Sequence, residues 1–151
     1  MHDEFFNELR KDHKLVKQIL KEMEESSPKE RADLISELDA ALFPHLRAEE
    51  EVFYPALMQK EQSRELGLEA IEEHHVAKIV YNELSGMSPS DEKWQAKAKV
   101  LMEIVNHHIQ EEEEEVFSIT KKAISKDDIP EVFQRFVDLK QFIMEQMGVP
   151  V

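Results

Sequence analysis

Two histidine–glutamate pairs with the same spacing are the residues of this chain best suited to chemistry. Glu49 follows His45 by four residues, and Glu112 follows His108 by four. Residues four apart on an α-helix lie about 40° apart around the axis and about 6 Å apart along it, so each pair points in one direction. Imidazole nitrogen and carboxylate oxygen together suit iron, manganese or zinc. A single pair with this spacing is also common on helix surfaces.

Both pairs belong to a longer internal repeat. His13 lies 32 residues before His45, and His74 lies 34 residues before His108. Each second histidine leads into an acidic run and has an aromatic residue nine positions later. One helix hairpin used twice predicts a four-helix bundle. Chance is therefore a poor explanation for four histidines at matching positions.

The elements that position these residues are five helices, separated by capping residues and prolines. Pro44 is expected to kink the second helix, because proline removes an amide donor. Ser88 is expected to cap the fourth helix, with Pro89 at its first position. The chain is thus all-α, with a bundle in residues 1–125 and an additional C-terminal helix in 126–151 packed on the same domain. The predicted helices cover residues 3–25, 28–60, 63–86, 89–125 and 128–147.

Helical periodicity turns most of the repeat toward the core. His45 and Glu49 share the apolar row of the second helix, and His108 and Glu112 share that of the fourth. His13 lies in the middle of the apolar row of the first helix. A buried carboxylate without a partner costs several kcal/mol, and no lysine or arginine lies on these rows. Metal cations would compensate the charge. Two bridging carboxylates leave two histidines for each of two metals, with open positions.

The third helix leaves a choice between adjacent histidines. His74 and His75 are about 100° apart around the axis, so both cannot face one point. His74 lies at the edge of the apolar side and His75 nearly opposite, which favours His74 and keeps His75 as the alternative. A single histidine on an apolar row is more often a hydrogen-bonded core residue than a ligand.

The neighbouring polar residues are expected to be solvated. Glu50, Glu51 and the acids around Glu112 resemble an exposed charged face. His2 and His107 are expected to be exposed as well.

Composition excludes several classes of function. There are 33 acidic and 19 basic residues, for a formal charge of -14, which disfavours nucleic acid and anionic membranes as partners. The absence of cysteine excludes thiol nucleophiles, iron–sulfur clusters and cysteine-ligated zinc. The N-terminus lacks the pattern of a signal peptide, and no run approaches the roughly 18–20 apolar residues of a membrane span. We therefore expect a cytoplasmic protein whose catalysis, if any, belongs to the metal.

In these residues the chain resembles the hemerythrin-like family, also called the HHE cation-binding domain, over about residues 3 to 125. The matching segments are Asp12-His13, His45 to Glu50 with Phe53-Tyr54-Pro55, Glu73-His74, and His108 to Glu113 with Phe117. The resemblance implies an up-down-up-down four-helix bundle around two iron ions with an oxo or hydroxo bridge. Manganese and zinc are alternatives. It further implies a ligand set of His13, His45, His74 and His108 as terminal ligands and Glu49 and Glu112 as bridging ones.

One departure from the family bears on function. Oxygen-carrying hemerythrins have a fifth histidine four residues after the third-helix ligand, where this chain has Lys78, or Ile79 if the count begins at His75. A water, another side chain such as Tyr81, or no ligand takes its place. This favours a centre that binds, senses or reduces oxygen, peroxide or nitric oxide. The alternatives are a metal-responsive module without turnover, a hemerythrin-type oxygen binder, and a scaffold without metal.

The surroundings of the ligands and the C-terminal helix carry further expectations. Tyr54, Tyr81 and Glu73 are candidates to lie beside the ligands. The resemblance suggests a stand-alone domain, either monomer or homodimer. The last helix is expected to pack on the outside or an end of the bundle, with a dimer interface or a cover over the bundle opening as alternatives. Near one face it carries Phe133, Phe136, Val137, Lys140, Ile143 and Met147.

Overall fold

The structure, a computed structural model, describes residues 3–150, so His2 lies outside the described part. Within that range the chain forms helices and no strand. The α-helices are α1 (Asp3–Glu24), α2 (Arg31–Ala48), α3 (Tyr54–Met58), α4 (Glu61–Ser85), α5 (Trp94–Glu111), α6 (Phe117–Ala123) and α7 (Ile129–Gln146).

Three short turns complete the helical segments. A 3-10 turn, Pro28–Glu30, leads into α2, and its capping box joins Ser27 to Glu30. A π-helical turn, Glu49–Phe53, joins α2 to α3, and a second, Glu112–Val116, joins α5 to α6. The predicted second and fourth helices therefore exist as continuous helical rods with a π turn inside each.

The rods form the predicted all-α bundle. Helix α1 packs against α2 and α5, and α4 packs against α3 and α5. The four rods of the bundle are α1, α2 with α3, α4, and α5 with α6. Helix α7 lies outside these four rods, mainly against α2. Within residues 3–150, no helix combines the length and apolar character that crossing a membrane requires.

The π turns correct the expected position of irregularity in the second helix. The α-helix continues through Pro44 to Ala48, and the hydrogen bonding changes only at Glu49. In the π turns the amide of Tyr54 donates to the carbonyl of Glu49, and that of Phe117 to the carbonyl of Glu112. Such i+5 bonding is rare in proteins, and where it occurs it often lies at a functional site. It brings the residue five positions after each glutamate toward the same side of the rod.

The start of α5 also differs from the prediction. The helix begins at Trp94 rather than at Pro89. The Arg31 guanidinium donates to the Pro89 carbonyl at 2.7 Å and lies over the Trp94 ring, 4.4 Å from its centroid. In addition, the Asp91 side chain accepts from the Lys93 amide at 2.8 Å. These contacts hold the segment before Trp94 in turns, which local capping signals do not reveal.

Two apolar clusters fill the bundle, one at each side of the histidine positions. The first contains Phe5 and Phe6 of α1, Phe53 of the first π turn, the aromatic residues that directly follow the two π turns, and Phe136 of α7. The second contains Leu20, Leu38 and other aliphatic residues at the opposite end. The polar residues of the repeat thus form a layer between two close-packed apolar ends, which exclude water from it.

Candidate metal centre

The structure brings the six sequence-predicted residues together in that layer. Glu49 and Glu112 have no exposed surface, and each histidine is at most 7% exposed. Of the adjacent histidines in α4, His74 is buried and His75 is exposed. Among these six residues, ligand atoms within 4.8 Å of one another form two groups, which are His13, His45, Glu49 and Glu112, and Glu49, His74 and His108.

Each glutamate lies between two histidines from different helices. All four histidine Nε2 atoms lie 3.1–3.4 Å from a glutamate oxygen. The contacts join Glu49 to His45 and His74, and Glu112 to His13 and His108.

The other ring nitrogen, Nδ1, of each of these four histidines contacts a carboxylate. The Nδ1 distances are 2.7 Å from His13 to Glu113, 2.8 Å from His45 to Asp12, 2.8 Å from His74 to Glu50 and 2.7 Å from His108 to Glu73. When Nδ1–H donates to a carboxylate, a neutral ring directs its Nε2 lone pair inward. All four rings are thus oriented as metal-binding histidines usually are.

These outer carboxylates correct one expectation. Glu50 and Glu113 were expected on a solvated face, but both are partly buried and accept from histidines. The signal lay in the repeat, because the residue after each buried glutamate and the residue before each first histidine are acidic. Glu51 and His107 are exposed, as the sequence predicts.

Tyr54 is an inner member of the site. Its ring is fully buried, and its Oη lies 3.2 Å from Nε2 of both His74 and His108. The same oxygen is 3.0 Å from Glu49 Oε1 and donates to Glu112. Burial and the charges of the two glutamates raise the pKa of Tyr54 well above its usual value.

The other two neighbours expected at the site differ from each other. Glu73 does lie there, as the acceptor for His108. Tyr81 does not, because it lies beside Asp39 in a separate small pocket between α2 and α4. That part of the expectation is wrong.

Protons compensate the buried charges when no other cation does. Burial alone would lower the pKa of His45, but the charge of Glu49 and the hydrogen bond to Asp12 raise it to about 10. Burial likewise opposes charge on His108, yet its hydrogen bonds to Glu112 and Glu73 raise its pKa to about 10. Protons and metal cations therefore compete for the same nitrogen atoms.

The donor set fits metal cations. No lysine or arginine of the described residues contacts Glu49 or Glu112, and Glu49 Oε2 is buried without a hydrogen-bond partner. An unpaired buried carboxylate oxygen is costly, and coordination is one of the few ways to satisfy it. Four imidazoles and two carboxylates are hard-to-borderline ligands that suit iron, manganese and zinc.

A small cavity adjoins the histidines on the side away from Tyr54. It has a volume of about 20 Å³, and its walls are the four histidines, Glu73 and apolar residues of all four rods. A volume of this size holds a single water or a similarly small molecule. The apolar residues of its wall are Val16, Leu42, Leu46, Ala77, Val105 and Ile109.

Comparisons with known proteins agree with this geometry. The family model of the Hemerythrin HHE cation binding domain matches residues 4–120. A curated protein of Nostoc sp. (strain PCC 7120 / SAG 25.82 / UTEX 2576), named DNA nickase, is 24% identical over 144 residues. The match covers 93% of this chain but only 40% of that relative. No solved structure matches the chain. The chain therefore belongs to the hemerythrin HHE cation binding domain family.

Proposed function

We propose that the centre holds two iron ions. His13 and His45 hold one ion, His74 and His108 hold the other, and both glutamates bridge the pair. The observation that carries this proposal is the burial of two carboxylates, each between two histidine Nε2 atoms and without a lysine or arginine partner. The same donors suit manganese and zinc, so the preference for iron rests on the family.

We infer that Tyr54 takes the place of the missing fifth histidine. Its oxygen lies between His74 and His108, whereas the side chain at the family's position, Lys78, pairs with Glu50 at 2.7 Å. Deprotonated phenol is a hard oxygen ligand suited to iron(III), and a nearby cation would offset the raised pKa of Tyr54. The ion held by His74 and His108, in the second hairpin (α4 to α6), thus gains an additional protein ligand.

The proposed ligand is a small oxidant such as oxygen, peroxide or nitric oxide. An iron pair supplies electrons for such a molecule when it is bound. The chain itself supplies the small cavity beside the histidines, and its apolar walls exclude bulk water and larger molecules. The outer carboxylates hold the four rings in one orientation throughout.

Two other functions use the same centre. A metal-responsive module would change its shape or stability with metal and carry out no turnover. A reversible oxygen carrier would bind and release oxygen without net oxidation. Because a ligand from Tyr54 occupies one position on its ion, the centre differs from the five-histidine arrangement on which carriage depends in the family.

The name of the Nostoc relative does not extend the proposal to DNA. About three-fifths of that relative lies outside the match, and this chain has a formal charge of -14. Such a charge opposes the approach of a phosphate backbone. We therefore propose no nucleic-acid partner for this chain.

The experiment is anaerobic loading with iron(II), followed by oxygen, hydrogen peroxide or a nitric oxide donor in separate samples. We expect new charge-transfer absorption in the near ultraviolet with at least one oxidant. The exposed variant Glu114→Gln should behave as the wild type. Two bound ions with no spectral response to any oxidant would overturn the proposed chemistry and favour the metal-responsive module.

A further inference from the structure

The C-terminal helix reaches the centre through a buried lysine. Lys140 of α7 has a side chain only 14% exposed, and its Nζ lies 2.8 and 2.9 Å from the two oxygens of Asp12. Asp12 in turn accepts from His45 Nδ1 at 2.8 Å. An unbroken series of charge-assisted contacts therefore runs from α7 through α1 to a histidine of α2.

The same face of α7 covers the histidine with an aromatic ring. Phe136 lies one helical turn before Lys140 and is fully buried. Its ring approaches His45 edge-on, with centroids 5.9 Å apart. One face of α7 thus supplies both the apolar cover over His45 and the cation that holds the carboxylate acceptor of His45.

Lys78 of α4 provides a natural comparison. It contacts Glu50 at 2.7 Å, and Glu50 accepts from His74 Nδ1. Lys78 belongs to the same helix as His74, and Glu50 to the π turn after α2, so that contact joins two of the four rods to each other. Among the described residues, Lys140 is the one cation that links an outer carboxylate to an element outside the four rods.

The cleft beside Lys140 shows what its loss would expose. A groove of about 440 Å³ lies between α1, α2 and α7, and Asp12 and Lys140 line it together with Glu8, Lys11 and Glu37. Glu8 is the second carboxylate on Lys140, at 2.9 Å. Without the lysine, Asp12 would face water and another carboxylate, and its hold on His45 would weaken.

We propose that Lys140 is a positioning residue, through which docking of α7 and metal retention by the His13/His45 half are coupled. The inference rests on the proposed metal centre. The coupling is reciprocal by thermodynamic necessity, so metal must stabilise the docked helix as much as the docked helix stabilises metal. Loss of a contact of this kind to a ligand histidine commonly weakens metal binding about 10–100-fold.

The test compares Lys140→Met, the conservative Lys140→Arg and the matched control Lys11→Met in the full chain loaded with iron(II); Lys11 is an exposed lysine that lines the same groove. Metal is first counted in each protein, and its transfer to a chelator is then followed. For Lys140→Met we expect one of the two ions to leave about 10–100-fold faster. Lys140→Arg should restore most of the retention, because it keeps the charge.

A second measurement has an arm that needs no variant. Amide hydrogen exchange in α7 of the wild type is compared between metal-free and loaded protein. We expect slower exchange in α7 on loading. Lys11→Met should keep this response, and Lys140→Met should lose it. If the wild type binds two ions but its α7 exchange is unchanged by metal, this inference alone is overturned. The same holds if the wild type binds two ions and Lys140→Met releases them at the wild-type rate. No metal in the wild type would overturn the proposed centre and this inference with it.

Discussion

The two hairpins of the bundle carry the same proposed ligands but are completed differently. Each supplies two histidines, one buried glutamate and a π turn that begins at that glutamate. Five residues later stand Tyr54 in the first hairpin and Phe117 in the second. Tyr54 places its oxygen between His74 and His108, whereas the Phe117 ring only stacks beside His13, with centroids 6.3 Å apart. The Tyr54 hydroxyl is thus the polar group that distinguishes the surroundings of His74 and His108 from those of His13 and His45.

The repeat includes the carboxylates that accept from the histidines, but it does not include the cations that contact those carboxylates. In both hairpins the acid before the first histidine holds the second histidine of the same hairpin. The first hairpin has Lys140 of α7 on that acid, Asp12, at 2.8 Å. The corresponding acid of the second hairpin, Glu73, has no lysine or arginine within 4.0 Å among the described residues. The two hairpins therefore repeat the proposed ligands and their carboxylate acceptors but differ in the cations beside those acceptors.

The largest effect is expected at a residue the two halves share. Replacing Glu112 by glutamine removes the anionic bridge, so both ions should be held more than ~100-fold less tightly. Equilibrium competition with a chelator measures this. The control is Glu114→Gln, an exposed acid two residues away. Retention of one ion at wild-type affinity would show that Glu112 is not shared.

Histidine variants should separate the halves. His45→Ala is expected to retain only the ion of the second hairpin, and His108→Ala only the ion of the first. In each variant, the ion that is lost has lost one of its two terminal imidazoles. Metal counting after gel filtration should fall from two ions per chain to one in each variant. Equal loss of both ions from either variant would mean that the halves are not separate sites.

Both halves should contribute to the pH dependence of stability. His45 and His108 both have a pKa of about 10 in the metal-free fold, against roughly 6.5 in the unfolded chain. A raised pKa stabilises the fold fully below pH 6.5, and that contribution is lost as the pH rises toward 10. The urea midpoint of metal-free protein should therefore fall between pH 6.5 and 10. In metal-loaded protein, whose histidines are neutral, it should change much less. A metal-free midpoint that rises over this range would contradict the burial of the histidines beside the glutamates.

The smallest effect is expected from the single hydroxyl. Tyr54→Phe should abolish visible phenolate-to-iron(III) absorption and speed the loss of the second-hairpin ion by about tenfold. Tyr81→Phe is the matched control, because Tyr81 is the other of the chain's two tyrosines and lies beside Asp39. Visible absorption that survives in Tyr54→Phe would remove the proposed asymmetry.

The sequence predicted the helices and the ligand layer because both follow helical periodicity. The apolar rows located His13, His45 and His108, and the edge of the α4 row favoured His74, the buried member of its pair. Tyr54 was among the residues expected beside the ligands, but periodicity did not place its oxygen between two histidines, since a π turn shifts the residues that follow it onto another side of the rod.

Other features depend on contacts that local patterns cannot show. Glu50 and Glu113 lie one position beyond Glu49 and Glu112, about 100° off the apolar row, and were therefore expected to be solvated. The contact between Lys140 and Asp12 joins residues 128 positions apart. The late start of α5 depends on Arg31, which binds the Pro89 carbonyl across 58 positions.

The most direct test of the account is a metal count. Protein purified without chelator, and the same protein after anaerobic loading with iron(II), is analysed for iron, manganese and zinc per chain. We predict two ions per chain after loading, and none retained by a variant in which Glu49 and Glu112 are both glutamine. A wild-type chain that retains no metal, or a double variant that retains both ions, would contradict the account.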